Sequence, residues 1–292
     1  METTMEFLEN NIVVERNQYR QLVVIDDTEH LQAHEEHCDI VVGENACLEM
    51  YRIQNLDNDA DLVTNIHIHQ QRDSKVHFVV ISFNAGVLRN NIVVDIDGEG
   101  CETNVYGLYL VDKKQHVENY LKINHNVPHC TSDTRFKGII DDEASAVFNG
   151  HVYVAPGAQQ TDAQQNNANI ILTNRAKIDT KPFLEIYADD VKCSHGTSTG
   201  QLDQEAMFYM RQRGISHANA RMLLMYAFAA DISNHIKIDN LHESIDDMIK
   251  RRLRGELSAC DHCVLQCKNP VGSLKGQKPL AQGNALGVED TK

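Results

Sequence analysis

The sequence predicts a mainly β chain, a stacked solenoid of the β-helix kind, followed by a short helical segment. Three observations carry this. From about Ile12 to Ile186 the apolar residues fall in short β-branched runs or in strict alternation. The strand centres recur every dozen or so residues, as at Ile66, Val79, Val93, Val105 and Val117, with no helical period among them. After Gly200 the apolar spacing changes to a helical one. So many strands exceed a small sandwich, and regular spacing with polar corners suits stacked rungs. A large β-sandwich is the alternative, because the spacing is approximate; no six-residue repeat supports a left-handed hexapeptide helix.

Leu22-Val23-Val24-Ile25, Ile40-Val41-Val42, Val76 to Ile81 and Ile92-Val93-Val94 read as strands. In Asn65-Ile66-His67-Ile68-His69 two isoleucines share one face and two histidines the other. Val117, Asn119, Leu121 and Ile123 share a face, as do Ala144, Ala146, Phe148, Gly150, Val152 and Val154. Gaps are expected at Asn55 to Asp61, Asp95 to Gly100, Asp141-Asp142 and Gln164 to Asn169. Asn166-Asn167 is expected at a corner, able to stack as an amide ladder.

A first helix is predicted over 201–213, with Asp203 near its N-cap and Gly214 as its stop. Ser216 caps a second, running to about Ile236, whose apolar stripe is Ala220, Leu223, Leu224, Ala227, Phe228 and Ile232. A third, about Glu243 to Leu257, carries Ile245, Met248, Ile249 and Leu253. Residues 1–200 are thus expected as the β-helix core, 201–268 as a helical C-terminal domain and 269–292 as a flexible tail.

The chain has 292 residues, with 42 acidic against 27 basic and a formal charge of −15. Such a surface repels phosphates, which argues against nucleic acid or an anionic membrane as partner. The start is acidic with no apolar core, so no secretory signal is read there. The longest apolar run, Met222 to Ala230, is too short for a bilayer. A cytoplasmic location follows, with the eight cysteines as thiols.

The densest reactive chemistry is Glu185 to Gly200, where the β pattern hands over to the helical one. It holds Asp189, Asp190, Lys192, Cys193 and His195. Cys193 and His195 are two apart, so a strand places both on one face. A thiol beside an imidazole suits iron, zinc or copper better than magnesium. On these two residues alone, a small core thiol and a hydrogen-bonded histidine are the favoured reading. Asp189 and Asp190 read as turn residues. Cys260, Cys263 and Cys267, with His262 among them, are one ligand short of a closed zinc site. The basic run Lys250, Arg251, Arg252 and Arg254 reads as a docking face, or as solvated charge complementing a helix C-terminus.

Several segments taken together resemble a known family. They are Phe148-x-Gly150; Ala158-Gln159-x-Thr161-Asp162-Ala163-x-Gln165; Thr180-Lys181-Pro182-x-Leu184-Glu185-Ile186; Asp189-Asp190-Val191-Lys192-Cys193-Ser194-His195-Gly196; and Phe208-Tyr209-x-x-x-Arg213-Gly214. A weaker match takes in His125-x-x-Pro128-His129-Cys130-x-Ser132 and Lys137-Gly138. These resemble the SufB/SufD family of iron–sulfur cluster assembly scaffolds, on its SufD side because of Cys-Ser-His-Gly. The resemblance implies a right-handed parallel β-helix with a helical C-terminal domain. It implies a non-catalytic scaffold subunit, a heterodimer with SufB through the β-helix, and docking of the ATPase SufC on the C-terminal helices. It places His195, with Cys193 beside it, at the SufB interface where a nascent iron–sulfur cluster or iron is shared. A homodimer through the same surface is expected when SufB is absent. No phosphate-loop motif occurs, so no nucleotide is expected on this chain.

Two departures stand out. The family's usual N-terminal helical domain is missing, reduced or outside this sequence, since the β pattern begins almost at once, and Thr-Ser-Thr-Gly follows Gly196 where Ala-Thr-Val-Gly is commoner. Two rival readings come from other classes. One is a carbohydrate-active lyase or hydrolase on a β-helix, resting on Asp141-Asp142 and Asp189-Asp190. Adjacent acids alternate faces on a strand, and there is no tryptophan for sugar stacking. The other is a plain interaction solenoid without metal chemistry.

Overall fold

A computed structural model describes residues 4–5, 9–27 and 35–254. Among the described residues, fifteen strands and three helices follow one another in order. The strands are β1 (Thr4–Met5), β2 (Asn11–Val14), β3 (Tyr19–Asp27), β4 (Glu35–Val42), β5 (Cys47–Asn55), β6 (Asp61–Gln70), β7 (Lys75–Asn84) and β8 (Val87–Ile96). They continue as β9 (Glu102–Val111), β10 (His116–His125), β11 (Thr131–Ile140), β12 (Ser145–Val154), β13 (Thr161–Ile171), β14 (Lys177–Ile186) and β15 (Val191–Gly200). Odd strands form one eight-stranded sheet and even strands one seven-stranded sheet, each in sequence order. Every pairing is parallel. The chain therefore visits the two sheets alternately and climbs one rung with each pair of strands, which is a parallel β-helix.

One row of corners shows the repeat. Asn17, Asn45, Asp73, Gly100, His129 and Gln160 take positive φ at successive turns, about 28 residues apart. The amides of Asn17, Asn45 and Asp73 each donate to the corner of the next rung, at Glu44, Arg72 and Glu99. The amide of Gln160 donates to the Asp190 carbonyl in the same way. Asp190 is thus the last corner of the row, which accounts for its place in a turn.

The lumen is apolar for most of its length, with Leu48, Phe78, Ile92, Leu121, Phe136 and Phe148 buried between the sheets. The sheets differ on their outer faces. In β6, β10 and β12 buried residues alternate with half-exposed ones. In β5 and β7 nearly every residue is buried, because helices cover that outer face.

The helices are α1 (Gln204–Gln212), α2 (His217–Ser233) and α3 (Asp239–Leu253). Asp203 caps α1 by accepting from the amides of Glu205 and Ala206, and Gly214 ends it with φ of 84°. Ser216 caps α2 through the Asn219 amide. The third helix begins at Asp239, a turn before the expected Glu243, and its N-cap Ile238 offers no side-chain acceptor.

Three expectations are corrected. The α2 stripe was expected on Ala220, Leu223, Leu224, Ala227, Phe228 and Ile232. The buried residues are Ala220, Met225, Ala229, Ile232 and Ser233, while Leu223 and Ala227 are exposed. Two surfaces, the sheet and α3, draw on α2, so the face rotates toward both. Gln164 to Asn169 is no gap but the middle of β13. Asn166-Asn167 therefore forms no corner ladder; Asn167 points inward and donates to the Phe136 carbonyl and the Tyr109 hydroxyl. Amides do stack elsewhere, from Gln54 through Asn90 to Asn119 inside the lumen.

Candidate functional site at the open end of the solenoid

The last rung is β14 and β15, which are edge strands of their two sheets. Among the described residues nothing pairs with their outer edges. Register puts Cys193 beside Ala163 and His195 beside Gln165. Ala163 and Gln165 face the lumen and are buried. Residue parity then directs Cys193 and His195 toward the mouth of the lumen. With no further rung above, His195 is exposed, while Cys193 is half-buried against the small cluster of Val152, Val154, Ala158 and Ala163. No hydrogen-bond partner holds the His195 ring among the described residues.

Cys193 is a free thiol. Burial pushes its pKa up, the Ala163 backbone opposes this in part, and Asp162 adds to it. The resting group is therefore SH, and a metal or an electrophile has to displace its proton.

Below His195 the lumen turns polar. Gln165 is buried with neither amide atom partnered, and Thr180 Oγ1 on β14 also lacks a partner. Gly150 explains how Gln165 fits: a Cβ there would meet the Gln165 amide at 2.4 Å. Further along β13, Asn167 and Asn169 form a buried hydrogen-bonded triangle with Tyr109 of β9. Two motif segments that are distant in sequence, Phe148-x-Gly150 and the stretch ending at Gln165, are thus one packing unit under the site.

The rim offers apolar area. Phe183, Ile186 and Tyr187 at the end of β14 are exposed, as are Phe208 and Tyr209 on α1. The Tyr209 ring and hydroxyl hold Arg213. The Glu185 carboxyl, bonded by Tyr187 and His151, lies below the usual carboxylate range.

Other motif residues hold the fold. His125 is buried and bonded to Ser132 Oγ at 2.9 Å. Burial pushes its pKa down to about 4. Lys137 reaches from β11 to α2, pairing with Asp231 at 2.8 Å and lying over the Phe228 ring. Arg252 is buried and paired with Asp112 at 2.7 Å, so this member of the basic run is engaged within the chain. Lys250 lies over Tyr226 and near Asp246, Arg251 is half-buried and Arg254 exposed. Cys260, Cys263 and Cys267 lie outside the described residues.

Sequence reasoning did not single out one further group. His67 and His69 on β6 meet Asp95 of β8, and one ligand atom from each falls within 4.8 Å of the others. The alternation of isoleucine and histidine was visible, but the carboxylate arrives only through strand register. The described residues contain no helix long and apolar enough to cross a membrane.

The chain matches the family model described as SUF system FeS cluster assembly, SufBD core domain, over residues 1–228. It is 39% identical over 169 residues to the iron-sulfur cluster assembly protein SufD of Escherichia coli (strain K12), covering 58% of this chain and 40% of that one. It is 35% identical over 214 residues to an iron-sulfur cluster assembly SufBD family protein of Synechocystis, covering 73% and 47%. A SufBD family protein of Mycobacterium leprae is 29% identical over 243 residues, covering 80% and 62%. The chain thus spans less than two thirds of the length of these relatives. With two stacked parallel sheets, a helical cover and this match over most of its length, the chain belongs to the SufBD family of iron–sulfur cluster assembly proteins and is closely related to SufD.

Proposed function

We propose that this chain is a non-catalytic scaffold subunit of a SUF-type cluster assembly complex, presenting His195 to SufB at the open end of the solenoid. The observation that carries the reading is the exposure of His195 on an edge strand, beside an uncovered rung and exposed aromatic residues. An edge of this kind accepts another sheet by backbone pairing, and the aromatic rim adds apolar area. The nascent cluster, or iron, is cargo held between two chains. One imidazole and one thiol cannot complete its ligand shell, so SufB supplies the remaining ligands. Neutral His195 donates the nitrogen, and Cys193 serves as an auxiliary thiol once its proton is displaced.

ATP acts through SufC, docked on the C-terminal helices, with Lys250, Arg251 and Arg254 as the part of the basic run at or near the surface. Arg252 plays its part through Asp112. Without SufB, the same edge pairs two copies of this chain. Cys260, Cys263 and Cys267 are a secondary thiol cluster for metal, and the complex works in the cytoplasm.

The test is anaerobic co-expression with SufB and SufC, with iron and sulfide measured on the purified complex. His195→Ala is expected to leave the complex assembled and to lower its iron and sulfide several-fold. Unchanged loading overturns the role of His195; failure to co-purify overturns the partnership.

A further inference from the structure

The outer face of the seven-stranded sheet carries a second group, remote from the open end. His67 and His69 alternate with buried Ile66 and Ile68, so both rings stand on the outer face, each half-exposed. Their centroids are 4.1 Å apart. Register places Asp39 of β4 beside His67 and Asp95 of β8 beside His69. His67 Nε2 lies 2.6 Å from Asp95 Oδ2. His69 Nδ1 lies 3.7 Å from that same oxygen and 3.7 Å from Asp97 Oδ2.

Both carboxylates are held from behind. Asn124 donates to Asp95 Oδ1 at 2.6 Å, and Asn126 donates to Asp97 Oδ1 at 2.8 Å. Each therefore has one oxygen satisfied by an amide and the other turned toward an imidazole. Asp39 Oδ1 stands 3.9 Å from His67 Nδ1, on the far side of that ring. This is the arrangement in which outer partners orient metal-binding groups.

We propose that His67, His69 and Asp95 bind a divalent first-row transition ion, with Asp97 as a further oxygen ligand and the remaining positions open to water. Two imidazole nitrogens and one carboxylate oxygen select such an ion over magnesium or calcium, which prefer all-oxygen shells. Asp39, Asp95 and Asp97 converge on the two rings, so a cation held between the imidazoles meets carboxylate charge on several sides.

Three strands, β8, β10 and β12, separate β6 from the edge strand β14. Four interstrand steps make about 19 Å, so this group shares no ligand with the open end. The proposal is independent of the scaffold reading.

The test uses the purified full chain, stripped with chelator, and needs no assembly partner. Carbethoxylation by diethylpyrocarbonate is read histidine by histidine by peptide mass spectrometry, with and without a fivefold molar excess of zinc, enough to fill the Cys260, Cys263 and Cys267 thiols as well. Zinc is expected to slow modification of His67 and His69 at least tenfold and to leave the exposed His217 unchanged. Magnesium at the same concentration is expected to protect neither ring. Asp95→Asn, checked for an unchanged circular-dichroism melt, is expected to abolish the protection; His69→Gln, read at His67, replaces it if Asp95→Asn unfolds. Cobalt titration is expected to show a visible d–d band that the same variants weaken at least tenfold. Equal modification with and without zinc, full protection in the variants, or equal protection by magnesium would overturn the site.

Discussion

Arg252 Nη1 on α3 lies 2.7 Å from Asp112 Oδ2 at the end of β9, and this contact ties α3 to the solenoid. The arginine is buried, and its other terminal nitrogen donates to Gln115 at 3.2 Å. Removing it leaves a half-buried carboxylate without its cation. Arg252→Ala is expected to cost about 3 kcal/mol, and Arg251→Ala less than about 0.5 kcal/mol. Urea unfolding of the two variants checks the contrast; equal losses would mean that the pair contributes nothing special.

His195 is exposed and makes no internal bond among the described residues, so its removal costs the fold little. His195→Ala is expected to keep the melting temperature of the isolated chain within about 2 °C. A large drop in a thermal melt would show that the ring supports the rung itself, and would confound any assembly defect.

Gly150 and Gln165 are coupled across the lumen. Gly150→Ala drives a methyl group to within 2.4 Å of the Gln165 amide and is expected to destabilise the chain by about 1–3 kcal/mol. Gln165→Ala removes that obstacle, along with two unpartnered buried polar atoms. The double variant is therefore expected to recover most of the loss. A double-mutant cycle in urea measures this; simple additivity would refute the coupling.

Acid should destabilise the protein through His125. Burial lowers its pKa from 6.5 to about 4, so the unfolded chain binds the proton first. Stability from this group is fully present above pH 6.5, falls as the pH drops toward 4, and is then level. The span corresponds to about 3 kcal/mol at 1.36 kcal/mol per pKa unit. His77 and His235, facing each other between the sheet and α2, are also shifted down, chiefly by burial, and act in the same direction. Urea midpoints from pH 7 to pH 4 check this, with His125→Asn expected to flatten the slope.

Much of the chain was readable from its neighbours along the sequence. Alternation at Asn65 to His69 and the continuous run Val76 to Ile81 both proved to be strands, β6 and β7. Asp203, Gly214 and Ser216 acted as the helix caps and stop they resemble, because capping depends on residues two to three positions away. The Cys193–His195 pair was recognisable as one strand face for the same local reason.

The sequence by itself determined most of the strands, though not the middle of β13, their alternation of faces, two helix starts and the family. It could not show that α2 would turn Met225 and Ala229, rather than Leu223 and Ala227, toward the sheet. Nor could it bring Asp95 to His69, place Gln165 beneath His195, or bury Arg252 against Asp112. Periodicity is a property of adjacent residues, whereas register between rungs is set by the summed lengths of the corners. Only when those rungs stack does it become fixed which side chains, about 28 residues apart, share a surface.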